Sequence, residues 1–325
     1  MLSVGVGLTS DCNLNCAHCY RPTDKVYALS LKDVKTVCEH LPVRSIGLGT
    51  GENGLHPEFL SIINYLRDQG IKLSMASNGY TLNKLSDEHL IGFNDVEVSI
   101  DWPTEKEQDS FRGPGNWKDV HRSILRCKQL GVRVSILSTM TSANYRVMDR
   151  LVALARFQEV NLRVNVYQPV QNSRFVLTYD QFWEGFRRLL GSSRLLSCTE
   201  PVVSAVLGQG VPSVCGKESV RVTPQGYVTP CVYWPTHSTT VDDLPRLGER
   251  ILETSEFQRA IEIPPSTKDC RCQGGCASRR ALLGNLDQHD PYCPWVRDDT
   301  IDLDYEMAPQ QDLVRARNYC TTIVI

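Results

Sequence analysis

The chain has 325 residues, is 41% hydrophobic and 22% charged, and carries a formal net charge of -2. Those proportions are globular and exclude disordered and fibrous classes. A near-neutral balance without any Lys/Arg block leaves no electrostatic drive toward nucleic acid or an anionic membrane.

The N-terminal residues lack a basic signal region, and no apolar stretch approaches the length that spans a bilayer, so a cytoplasmic protein with neither membrane nor nucleic acid as partner is expected. Thirteen cysteines in a reducing compartment point to metal or redox chemistry, and an odd total forbids complete internal pairing. The length predicts one large domain and a smaller one.

In chain order, short β-rich runs are expected at 4–8, 45–49, 72–76, 96–100, 132–137 and 162–167. Each is followed by a segment of helical period, such as 57–68 or 117–130. Six such units with right-handed crossovers predict an α/β fold, a partial, TIM-like (β/α)6 barrel over residues 1–195. Its chemistry is expected on the loops after the strands. From about Pro201 the chain becomes rich in Gly, Pro and Cys, which predicts a small α+β domain over 196–298. Two short strands are expected around a turn at Pro224-Gln225-Gly226, bringing Cys215 and Cys231 to one end. Residues 299–325 form a tail with no assigned role.

Directly after the first strand the sequence reads Cys12-Asn13-Leu14-Asn15-Cys16-Ala17-His18-Cys19. Thiolates are soft ligands for zinc, Cu(I) or iron–sulfur clusters. A closed zinc site needs a fourth ligand, for which His18 is available but awkwardly adjacent to Cys19. Three thiolates on a [4Fe-4S] cube instead leave one iron open for a chelating small molecule.

The C-x3-C-x2-C loop with an aromatic-like residue before its last cysteine resembles the signature of the radical S-adenosylmethionine (SAM) superfamily. The resemblance continues through Gly49-Thr50-Gly51-Glu52-Asn53, where relatives have Gly-Gly-Glu-Pro, through Ser77-Asn78-Gly79, and through Ser99-Ile100-Asp101 with Arg112-Gly113. It implies a [4Fe-4S] cluster with an open iron on Cys12, Cys16 and Cys19. SAM would lie among His18, Gly51, Glu52, Ser77, Asn78 and Ser99, with the Glu52 carboxylate accepting from its ammonium and the hydroxyls ending the strand near 134–139 reaching its ribose. Asp101, Arg112, Tyr167 and Gln168 fall near strand ends without a chemical role of their own.

A second set, Cys215, Cys231, Cys270, Cys272, Cys276 and Cys293, resembles the C-terminal extension called SPASM or its shortened twitch form. It implies one or two auxiliary [4Fe-4S] clusters, the first on Cys215, Cys231, Cys276 and one further cysteine, with Cys270, Cys272 and Cys293 left for a second. A zinc ribbon is the alternative reading of the same thiols. Cys38 and Cys127 fall on the apolar faces of predicted helices, and Cys198 and Cys320 have no partner at ligand spacing, so all four are expected to be inert.

The resemblance implies an oxidoreductase that cleaves SAM to a 5′-deoxyadenosyl radical and abstracts hydrogen from its substrate. A ribosomal peptide precursor is the leading substrate. The alternatives are a sugar or nucleoside intermediate acted on by a dehydrogenase or decarboxylase, and a non-catalytic metal scaffold. Only 11 residues precede Cys12, so a separate peptide-recognition protein is expected as a partner, together with a reductase or a flavodoxin- or ferredoxin-type electron donor.

Overall fold

The structure, a computed structural model, describes residues 1–210, 215–267, 270–311 and 320–325. Six parallel strands form its centre: β1 (Leu2–Gly7), β2 (Val43–Gly49), β3 (Lys72–Ser77), β4 (Asp95–Ser99), β5 (Val134–Met140) and β6 (Asn161–Val166), hydrogen-bonded in sequence order. All six expected strands are present, displaced by a few residues at their ends.

Strand parity explains what this sheet encloses. Val4, Ile46, Leu48, Val96, Val98, Ile136, Leu162 and Val164 are buried, and helices such as Phe59–Asp68 pack Phe59, Ile62, Ile63 and Leu66 onto the core. The intervening positions, among them Gly5, Gly7, Gly47, Gly49, Ala76, Ser99 and Thr139, line a cavity instead. A closed TIM barrel fills its interior with bulky aliphatic layers; here the inner face is small or polar, so the barrel is hollow. Ser138, on the opposite parity to Thr139, is buried and is not among the residues lining the cavity. Only Thr139 of the expected hydroxyl pair therefore faces the chamber.

Five further strands extend the same sheet: β7 (Arg194–Cys198), β8 (Ser219–Val222), β9 (Val228–Thr229), β10 (Glu306–Met307) and β11 (Thr322–Val324). The order is β10-β7-β11-β6-β5-β4-β3-β2-β1-β8-β9. β8 runs parallel to β1 and pairs antiparallel with β9 around the expected turn. The boundary foreseen near residue 195 is thus no break in the sheet, and one apolar cluster runs from Leu2 to Val324.

The tail also differs from its expectation. β11 is an interior strand, antiparallel to both β6 and β7, because Thr322-Ile323-Val324 is apolar and β-branched enough to be buried on both faces. Residues 312–319 of that tail, and 211–214 and 268–269 of the cysteine-rich region, lie outside the described residues.

Candidate active site

The Cys12 loop is tied down by short-range hydrogen bonds. The Cys12 N–H donates to Asp11 Oδ1 at 2.9 Å, and Arg21 donates to the Ser10 and Leu14 carbonyls at 3.1 Å each. The Cys12 sulfur accepts from the Leu14 N–H at 3.4 Å and from Asn78 Nδ2 at 3.5 Å, while Cys16 Sγ lies 3.6 Å from the Arg112 carbonyl. Burial pushes the Cys12 thiol up to about 11 and raises Cys16, an effect that nearby Arg112 partly offsets at Cys16. Thiolates so placed are stabilised by a bound cation, and the soft donor set fits an iron–sulfur cluster.

The second loop turns through two left-handed residues, Thr50 (φ 64°) and Gly51 (φ 65°). A Cβ at Gly51 would sit 2.4 Å from the carbonyl oxygens of Thr9 and Asp11. Glycine is therefore required for this turn to press against the thiol loop. At Thr50 the backbone strain is accepted, and its hydroxyl pairs with Tyr20 Oη at 2.9 Å.

Glu52 is 1% exposed, and its carboxylate is already engaged. Oε1 accepts from Ser77 Oγ at 2.6 Å and from the Thr81 N–H at 2.9 Å; Oε2 accepts from the Asn78 N–H at 2.9 Å. The carboxylate expected to meet an ammonium group lines the cavity and directs three of its lone-pair directions to the end of β3 and the loop after it. Its observed task is to position Ser77 and Asn78.

Asp101 is a buried hub. Arg112 Nε donates to its Oδ2 at 2.6 Å, the Thr139 N–H donates to its Oδ1 at 2.8 Å, and His18 Nε2 lies 3.4 Å from Oδ2. Against the opposing effect of burial, Arg112 and then His18 hold Asp101 below the usual carboxylate range. Burial lowers His18 to about 4, so its ring is neutral, stacked on Phe111 with centroids 4.6 Å apart. This network joins the thiol loop to the ends of β4 and β5.

His18, Gly51, Glu52, Ser77, Asn78 and Ser99 all line one cavity of about 270 Å³ together with Cys12, Cys16 and Cys19. Cys215, Cys231 and Cys276 open onto the same space. So does Cys320, which corrects the expectation that it is inert. Cys215 hydrogen-bonds both Cys231 and Cys320, and Cys320 also hydrogen-bonds Cys276. Those bonds hold Cys215 well below the ordinary thiol range. β11 carries Cys320 there from far along the chain, which no local spacing pattern announces. Cys127 and Cys198 do lie in the core and Cys38 packs against it.

The Gly274-Gly275-Cys276 and Asp290-Pro291-Tyr292-Cys293 stretches meet at a buried clamp. Arg279 donates to Asp290 at 2.7 Å and Glu200 at 2.7 Å, and Asp290 Oδ2 accepts from the Cys276 N–H at 2.8 Å. A Cβ at Gly275 would lie 2.6 Å from that of Asp290. Trp183 Nε1, on the helix Tyr179–Gly191, donates to the Tyr292 carbonyl at 3.1 Å, docking the clamp on the barrel. The remaining three thiols, Cys270, Cys272 and Cys293, gather separately, with sulfurs 3.0 to 3.2 Å apart.

Sequence reasoning missed the polar barrel floor. Arg163 pairs with Asp95 and lies 3.0 Å from Glu97, and Arg221 crosses the inner face of β1 where a Cβ at Gly5 would meet it at 2.5 Å. Period-two counting back from Ser99 to Glu97 carries the signal that would have found it.

Residues 6–165 match the family profile of the Radical SAM superfamily. They form a radical SAM domain. The mycofactocin maturase MftC of Mycobacterium tuberculosis (strain CDC 1551 / Oshkosh) is 25% identical over 318 residues, covering 88% of this chain and 81% of the relative. Among solved structures, anSMEcpe with bound AdoMet superposes with a TM-score of 0.71 at 19% identity, covering 92% and 96% of the two chains. SuiB of Streptococcus suis bound to S-adenosylmethionine gives 0.67 at 14% identity, covering 90% and 77%; it has also been seen with the precursor peptide SuiA. The chain is thus a radical SAM enzyme whose cofactors are a [4Fe-4S] cluster and SAM, with an auxiliary cysteine region. No described helix is long and apolar enough to cross a membrane.

Proposed function

We propose that this radical SAM enzyme is a maturase acting on a ribosomal peptide precursor. The observation that carries the reading is the shared chamber: three thiols of the N-terminal loop, three from the cysteine-rich region and Cys320 of the tail face one cavity. The likenesses to MftC and SuiB support a peptide substrate.

Cys12, Cys16 and Cys19 would hold the [4Fe-4S] cluster, and Cys215, Cys231, Cys276 and Cys320 an auxiliary one. Residues 1–195 would supply the radical core and 196–298, completed by Cys320, the auxiliary region. When bound, the cluster and SAM supply a 5′-deoxyadenosyl radical able to take an unactivated hydrogen. The protein's own part is positional. Asn78 donates to the Cys12 sulfur, Glu52 holds Ser77 and Asn78 at the chamber wall, and Asp101 fixes Arg112 and Thr139. The enclosing barrel excludes water from reactive species. A separate recognition protein and a flavodoxin- or ferredoxin-type donor would complete the system, and a cytoplasmic setting suits thirteen reduced thiols.

The test is anaerobic incubation of the reconstituted chain with SAM, dithionite and a precursor peptide encoded beside its gene. A peptide mass change matched by 5′-deoxyadenosine release, and lost in Cys16→Ala, is expected. Release coupled to a sugar or nucleoside while the peptide stays unmodified would overturn the peptide reading.

A further inference from the structure

We propose that Cys270, Cys272, Cys293 and His289 bind a single tetrahedral zinc ion, apart from the cluster chamber. The three sulfurs form a closed triangle, with Cys270 and Cys272 3.2 Å apart, Cys270 and Cys293 3.2 Å, and Cys272 and Cys293 3.0 Å. An imidazole nitrogen of His289 lies within 4.8 Å of the Cys270 and Cys293 sulfurs. Its Nδ1 is buried and has no hydrogen-bond partner among the described residues. A buried polar atom without a partner calls for a reason, and a cation shared by this ring with the Cys270 and Cys293 thiolates supplies one, with Cys272, whose sulfur touches both of theirs, as the third thiolate.

Local structure sets the geometry. The turn after Cys270 closes with the Gln273 N–H on the Cys270 carbonyl at 2.9 Å and the Gly275 N–H on the Cys272 carbonyl at 2.8 Å. Left-handed Gln273 and Gly274 permit that winding. His289 directly precedes Asp290, which the Arg279 clamp immobilises, and Cys293 follows three residues later.

A second [4Fe-4S] cluster does not fit this arrangement. Zn–S bonds of about 2.3 Å place tetrahedral sulfurs about 3.8 Å apart, so the observed triangle needs only a slight opening for one ion. A cube spreads its thiolates over separate irons and needs space. Cys272 and Cys293 are instead buried among core side chains, and none of the three sulfurs is among the described residues lining the cavity. Three thiolates and one imidazole are a common structural zinc set.

The inference is independent of the peptide reading, and its test reads metal rather than turnover. The full-length chain, purified anaerobically, is assayed for iron and zinc by mass spectrometry. About eight irons and one zinc per chain are expected from two cubes and one tetrahedral ion. About twelve irons without zinc would overturn the proposal. His289→Ala and Cys272→Ser should each lose most of the zinc and keep their iron, and unchanged zinc in His289→Ala would remove His289 from the site. Should either variant fail to fold, zinc-edge X-ray absorption of the unaltered chain decides: three sulfurs and one nitrogen are expected, and four sulfurs would exclude the histidine. A chain with four irons and one zinc would strike the Cys215–Cys231–Cys276–Cys320 cluster and leave this site standing.

Discussion

Glu52→Ala is the perturbation with the clearest expected magnitude. The carboxylate accepts three hydrogen bonds, from the Ser77 hydroxyl and the N–H groups of Asn78 and Thr81, and a hydrogen bond to a charged group contributes about 1.5–3 kcal/mol. Removing it strands three buried donors at a cost on the order of 4–9 kcal/mol, a large share of the roughly 5–15 kcal/mol that holds an ordinary domain together. The assay is amide hydrogen exchange read at Asn78 and Thr81. With tenfold per about 1.4 kcal/mol, each amide should exchange about 10- to 150-fold faster. Glu52→Gln keeps one carbonyl oxygen, which can serve Ser77 and Thr81, and turns an NH2 group toward the Asn78 N–H; its loss should fall mainly on Asn78. Unchanged protection at both amides in Glu52→Ala would refute the positioning role.

Gly51→Ala must displace the thiol loop, because its Cβ would fall 2.4 Å from two carbonyl oxygens at a φ that disfavours L residues; a loss above about 2 kcal/mol and reduced iron are expected from melting curves and metal analysis. Cys320→Ser should lower iron from about eight to about four per chain while the reduced N-terminal cluster keeps its paramagnetic signal, with Cys198→Ser as the control that retains all of it. His18, lowered to about 4 by burial, takes up its proton more readily when unfolded. Its contribution is therefore full above about pH 6.5 and falls as the pH drops toward 4, by roughly 3 kcal/mol at most. Denaturant titration of the metal-free chain across that window should show the slope, and His18→Phe should flatten it.

The parallel barrel was legible because strands buried by helices read as apolar runs separated by helical segments, and because the three-thiol loop, the Gly51-Glu52 turn and Asp101 with Arg112 each fall after a strand. Local spacing also found Cys215, Cys231 and Cys276. What it could not find depends on pairing across long stretches of chain. β11 lies between β6 and β7, so Thr322 meets Val164 and Cys198, and nothing near residue 322 encodes those partners. Cys320 was misread for the same reason. The bonds of Glu52 to Ser77, Asn78 and Thr81 were not legible either: a carboxylate at a strand end looks alike in sequence whether or not it also holds the neighbouring loop.

The placement of β11 also sets an order of assembly. Its Thr322 reaches back 124 residues to Cys198, and the preceding Thr321 reaches 157 back to Val164, among the long-range pairings that fold slowly because a large loop must close first. While a growing chain emerges, β6 and β7 exist before the strand that separates them, and the cysteine-rich pocket holds Cys215, Cys231 and Cys276 without Cys320. Iron arriving at that moment meets three thiols, the same number as in the N-terminal loop. If Cys215, Cys231, Cys276 and Cys320 hold the proposed auxiliary cluster, the fourth thiol joins the other three only when the late strand seats, so complete loading of that cluster is expected after synthesis.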